Sequence, residues 1–133
     1  MKFAKLDPMP LSNTASRSWD VAGLTFSGLC LLHCVALPTA SVLLPALSVG
    51  GAAWVHQAFA ALALAATLAV IAGCRPVGAC FLVAAGVGNA SILWGAFGAH
   101  GEAAETLATV LGAGLLAAAH AVRLAAPRRR RAC

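Results

Sequence analysis

The stretch Cys30-Leu31-Leu32-His33-Cys34-Val35-Ala36-Leu37-Pro38 lies inside an apolar run from about Asp20 to Val49. That run is long enough to cross a hydrocarbon core about 30 Å thick. Lipid offers a thiol or an imidazole no partner, so polar groups at that depth face a bundle interior and often mark function. Positions 30, 33 and 34 follow i, i+3, i+4 spacing, which puts them on one face of a helix. Two sulfur donors and one imidazole on a shared face suit a soft metal ion. Pro38 has no amide hydrogen to give the Cys34 carbonyl, and its ring presses on that carbonyl. The sequence therefore predicts a first helix kinked at Pro38, with a freed carbonyl beside the cluster. Broken helices near mid-membrane recur at transport sites. The competing reading is packing, since a free cysteine is a common small buried hydrophobe. The combination Cys-x-x-His-Cys, with a proline one turn on, favours ligands.

Outward from this stretch, the 133-residue chain is 61% hydrophobic and 10% charged. A soluble domain carries about a quarter charged residues. The charges fall in short stretches, Lys2 to Asp20, Arg75, Glu102 to Glu105 and Arg123 to Arg131, and what lies between them reads as membrane spans. Four are expected: about Asp20 to Val49, Ala52 to Gly73, Pro76 to Phe97 and Ala103 to Leu124. The expected fold is an all-α membrane protein, a four-helix transmembrane bundle. Residues 1–18 form a flexible N-terminal tail, 19–125 the four-span domain and 126–133 a basic tail.

Charge sets the orientation. With the N-terminus in the cytoplasm, Lys2, Lys5, Arg17, Arg75, Arg123 and Arg128 to Arg131 all fall on the cytoplasmic side, and no Lys or Arg falls outside. That is a complete positive-inside pattern, with both termini cytoplasmic and a multi-pass protein of a bacterial inner membrane. The net charge of +5 is then a topology signal and not a nucleic-acid footprint; no aromatic–basic interleaving suggests base stacking. Five cysteines in so apolar a chain do not resemble a secreted disulfide scaffold. The polar stretch before Trp19 and the length of the first apolar run give no cleavable leader.

Other polar residues are weighed the same way. Cys74 and Cys80 lie near the cytoplasmic end of the middle turn, and Cys133 ends the basic tail. Arg75 favours a thiolate at Cys74; Cys80 and Cys133 read as filler. His56, His100, Glu102 and Glu105 fall toward the outer face, where they suit a weak cation site. The glutamates equally suit the dipole of the fourth helix, which is the preferred reading. His120 bonds a carbonyl near Arg123, Asn89 makes an interhelical hydrogen bond, and Trp19, Trp54 and Trp94 anchor at the interfaces.

Ser27-Gly28-Leu29-Cys30-Leu31-Leu32-His33-Cys34-Val35-Ala36-Leu37-Pro38, continuing to Leu44-Pro45, resembles the first-span signature of the MerC family. Trp54-Val55-His56-Gln57, His100-Gly101-Glu102 and Ala119-His120 resemble it too, so the likeness runs from about Trp19 to Leu124. It implies a four-helix inner-membrane protein for mercuric-ion uptake. In such a protein a cysteine pair of the first span binds Hg(II) and passes it inward toward a cytoplasmic thiol acceptor or mercuric reductase. Carried onto this chain, that role falls on Cys30 and Cys34, spaced Cys-x-x-x-Cys, with His33 between them as a third ligand or proton acceptor.

The expected ligand is thus a transported soft ion, not a resident cofactor: Hg(II) first, with Cu(I) or Zn(II) as alternatives. Cys74, His56 and His100 are secondary candidates, and membrane lipid is the other partner. No hydrolase or transferase arrangement, phosphate loop or dinucleotide fingerprint is present, so no enzyme activity is expected. Two other classes remain open at this point: a membrane thiol–disulfide redox protein, and a small structural or regulatory membrane protein indifferent to metal.

Overall fold

Small residues meet inside this protein around Val70, Phe81, Ile92 and Leu116, and many other large apolar residues point out. Leu111 is 68% exposed while Ala113, two positions on, is fully buried. Leu32, Val35, Leu62, Leu68, Val83, Val87, Leu107 and Val122 line the outer surface, and Ala60, Ala63, Ala66, Ala85 and Ala108 the interior. That is the arrangement lipid dictates: tails solvate leucine as well as a core does, so helices associate through small residues that let backbones close in.

The computed structural model describes residues 11–43, 53–73, 77–98 and 101–126. They form α1 (Leu11–Leu43), α2 (Ala53–Gly73), α3 (Ala79–Phe97) and α4 (Glu102–Ala125). All four contain a segment long and apolar enough to cross a membrane, so the protein is an all-α, four-span bundle. Helix α1 packs on α2 and α4, and α3 on α2 and α4. Contacts between Asp20 and Arg123 at one end, and between Cys34 and both His56 and Thr109 toward the other, make the helices run up, down, up and down. The N-terminal end of α1 and the C-terminal end of α4 thus lie at one end of the bundle, called here the terminal end.

Three helices begin or end within a few residues of expectation, and α1 differs. It begins at Leu11, not at Asp20, so residues 11–18, expected in a tail, are helix. Hydropathy marks where lipid ends, not where helix ends. No proline or glycine interrupts 11–22, so the helix propagates outward past the apolar run through Arg17 and Trp19. At its other end the backbone of α1 stays helical through Pro38 to Leu43; the expected residues 44–49 lie outside the described residues. Helix α3 starts after the N-cap residue Gly78, and Pro76 lies outside the described residues.

Asn89 and Ser91, polar groups in the spans, are satisfied locally or across helices. Asn89 Nδ2 donates to Thr67 Oγ1 (3.1 Å) and to the Ala85 carbonyl (2.8 Å), tying α3 to α2. Ser91 Oγ donates to the Ala108 carbonyl at 3.0 Å, tying α3 to α4.

The α3–α4 seam is closest at Gly88 and Gly112. A Cβ on Gly112 would stand 2.7 Å from the Gly88 carbonyl oxygen and 2.8 Å from Ile92 Cγ1. Gly112→Ala must therefore push two backbones apart, with an expected loss of about 1–3 kcal/mol in thermal unfolding of the detergent-purified protein. A change under about 0.5 kcal/mol would show that the seam opens freely.

Candidate metal site

Helix α1 turns one polar stripe to the interior. Asp20, Gly23, Ser27, Cys30 and Cys34 are all buried, and their spacing of three, four, three and four residues is that of a single helix face. The stripe spans most of the bundle, with the thiols toward one end and the carboxylate toward the terminal end.

Cys30 and Cys34 are free thiols, 3% and 6% exposed, on the same buried face. One helical turn separates them, so a two-coordinate ion between them needs only rotation of side chains. Cys34 has two further neighbours. Its thiol donates to Thr109 Oγ1 at 3.6 Å, and its sulfur lies 3.9 Å from His56 Nε2. The Thr109 hydroxyl gives its own proton to the Glu105 and Thr106 carbonyls, so its lone pairs are what face the thiol. On the far side of the imidazole, His56 Nδ1 pairs with Glu105 Oε1.

His33 stands beside the pair, against His56. Its ring packs edge-on against His56, with centroids 5.3 Å apart, and tilted against Phe59 at 5.9 Å. It walls the α1–α2 contact, and Cys30 and Cys34 share the deeper face. Among the described residues no group of three or more His, Cys, Asp and Glu side chains is gathered to hold a metal ion. What the fold assembles is pairs, sufficient for an ion of low coordination number.

Glu105 sits in the first turn of α4, as the dipole argument requires, but its side chain reaches across to His56 on α2, a partner 49 positions away. Glu102 is exposed. Cys80 is an exposed thiol on α3. Cys74, His100 and Cys133 lie outside the described residues.

At the terminal end stands a second cluster. Asp20 is 2% exposed and His120 1% exposed. His120 Nδ1 lies 3.0 Å from Asp20 Oδ1, and Arg123 Nε donates to both Asp20 oxygens at 3.0 and 3.2 Å. Phe81 closes the group from α3, edge-on to His120 at 5.3 Å and with the Arg123 guanidinium 4.9 Å over its ring. Gly23 is what lets His120 in, since a Cβ there would lie 2.4 Å from His120 Nε2. The expectation that His120 bonds a backbone carbonyl is thus replaced by a carboxylate partner 100 residues away.

By hydropathy Asp20 marks only the edge of a span. The signal for it was available: an acid in phase with Cys30 and Cys34 on the same three–four repeat. Between the clusters, Ser27 Oγ is buried and, among the described residues, the one buried side-chain N or O atom with no hydrogen-bond partner.

A bundle of four helices, each long and apolar enough to cross a membrane, defines a multi-pass membrane protein. The family model described as MerC mercury resistance protein matches residues 20–125, most of the chain, and the chain belongs to that family. It is therefore a mercury-resistance membrane protein, of a family not known for enzymes. Searches of the curated proteins and of the solved structures give no match.

Proposed function

We propose that this protein carries Hg(II) across a bacterial inner membrane, bound by Cys30 and Cys34 and handed inward to a cytoplasmic thiol acceptor. The observation that carries the reading is the pair of buried free thiols, one turn apart on the interior face of α1. Each thiol loses its proton as its sulfur bonds the ion, so loading one Hg(II) on two thiols releases two protons. No oxidation or reduction is involved. Unloading is ligand exchange: an incoming thiolate forms a bond to the metal, one protein sulfur leaves, and a second exchange frees the ion as a dithiolate.

The polar stripe supports passage in this direction. It leads from the thiols past Ser27 to the Asp20 cluster at the terminal end, which the distribution of Lys and Arg assigns to the cytoplasm. Softness and low coordination number favour Hg(II), with Cu(I) next; Zn(II) prefers four ligands in closed sites.

The test is titration of the detergent-purified protein with Hg(II), read at the ultraviolet Hg–thiolate band, beside the Cys30→Ser, Cys34→Ser variant. The expected result is one ion bound at this pair, absent from the variant, with apparent affinity falling as pH is lowered because protons compete for sulfur. If the variant binds and transports Hg(II) as the parent does, these thiols are not the carrier.

A further inference from the structure

We infer that Cys34 Sγ and His56 Nε2 form a second cation site, a mixed sulfur–nitrogen pair that receives a soft or borderline divalent cation before the two thiols do. The distance is the first argument. Metal–sulfur and metal–imidazole bonds of about 2.3 and 2.0–2.1 Å span about 4.4 Å when collinear and about 3.6 Å across a tetrahedral edge. The observed 3.9 Å between Cys34 Sγ and His56 Nε2 lies between those limits, so a cation fits without moving either helix.

The second argument is the far nitrogen. An ionised carboxylate only accepts hydrogen bonds. With Glu105 Oε1 as its partner, His56 Nδ1 is therefore the donor, and in the neutral ring the lone pair sits on Nε2, facing the sulfur. A carboxylate behind an imidazole is the recurring support of metal-bound histidine, fixing ring and tautomer. Glu105 is here a positioning residue, not a ligand.

Access is the third argument. The His56 and Glu105 side chains are 15% and 32% exposed, while Cys30 and Cys34 are almost closed off. A cation arriving from the end opposite the termini meets this pair first.

Cys34 belongs to both pairs, which makes transfer a short relay. The Cys34 S–H bond breaks as S–metal forms, and the proton leaves to water at the open end. His56 Nε2 supplies the second donor pair. The Cys30 S–H bond then breaks as its S–metal bond forms, the His56 nitrogen leaves the metal, and the Cys30 proton goes out to water by the same open end. The inference rests on the proposed carrier reading for the direction of travel, but the binding pair is tested apart from it.

The experiment uses protein in which Cys74, Cys80 and Cys133 are serine, with Cys30→Ser added to remove the thiol pair and leave Cys34 with His56. Co(II) is the probe, because a thiolate–Co(II) charge-transfer band and visible d–d bands report sulfur and coordination geometry. The expected result is a one-sulfur Co(II) spectrum, lost on Cys34→Ser, with Co(II) affinity falling at least about tenfold in His56→Ala and in His56→Gln while helix content by circular dichroism is kept. Glu105→Gln should weaken Co(II) by about tenfold and leave the sulfur band in place.

Equal Co(II) binding with and without His56, or no Co(II) band at all in the Cys30→Ser protein, overturns the inference. If the parent still binds Hg(II) through its two thiols in that event, the carrier reading stands and only the second site falls.

Discussion

Cells expressing the Cys34→Ser protein are expected to take up labelled Hg(II) no faster than cells lacking the protein, whereas His33→Ala cells keep most of the parent rate. The asymmetry follows from where the side chains go. Cys34 is the sulfur common to the Cys30 pair and to His56, so its loss removes both pairs at once. A serine oxygen is a hard donor and does not replace thiolate toward a soft ion. Cys30→Ser is expected to stop uptake as well, because the ion is then captured beside His56 and has no second thiol to move to. His33 lies against His56 and Phe59, and its truncation loosens a ring contact without removing a donor from the interior face. Uptake in Cys34→Ser cells above about half the parent rate, at equal protein level, would withdraw Cys34 from the route. A collapse in His33→Ala as deep as in Cys34→Ser would restore His33 as a ligand.

Asp20→Ala is expected to destabilise the detergent-solubilised bundle by about 3–5 kcal/mol, the usual cost of removing one partner from a buried ion pair. The carboxylate is 2% exposed and takes hydrogen bonds from Arg123, with His120 beside it. Its removal takes the shared carboxylate away from Arg123 and His120 in a setting that solvates charge poorly. The loss should appear as a lower thermal midpoint and as faster thiol labelling at Cys30 and Cys34, because the cluster fixes the rotation of α1 against α4.

A triple replacement, Asp20→Leu with His120→Leu and Arg123→Met, is the informative partner. Replacing a whole buried ionic group by apolar residues is often neutral or stabilising by about 1–4 kcal/mol. The triple variant should therefore recover stability that the single variant loses. If Asp20→Ala costs less than about 1 kcal/mol, the cluster is not what clasps α1 to α4.

The fold was legible because its determinants are local. Each apolar run declares its own helix, and the distribution of Lys and Arg fits an even number of spans. Cys30 and Cys34 could be placed on one face from spacing alone, since a helix repeats every 3.6 residues. The same logic applied to 20, 23, 27, 30 and 34 contains the whole interior stripe, although Asp20, at the border of the apolar run, looked like a solvent-side residue. The start of α1 lies outside the apolar run for a related reason: apolar content reports immersion, and helix propagation needs only the absence of breakers. Glu105 was read from its place on α4, where dipole stabilisation is a sufficient account, and nothing along the chain points from it to His56.

The sequence by itself determined the number of the spans, the membrane setting, and the thiol pair on one face of the first helix, since each depends on residues within a few turns of one another. Only the tertiary structure decided what stands opposite that face. His56 and Thr109 come to Cys34 from 22 and 75 residues away, and His120 comes to Asp20 from 100. In lipid, hydrophobicity does not choose helix neighbours; the close fit of glycines such as Gly23, Gly88 and Gly112 and the pairing of buried polar groups do. Those are properties of two surfaces meeting, which neither surface carries alone.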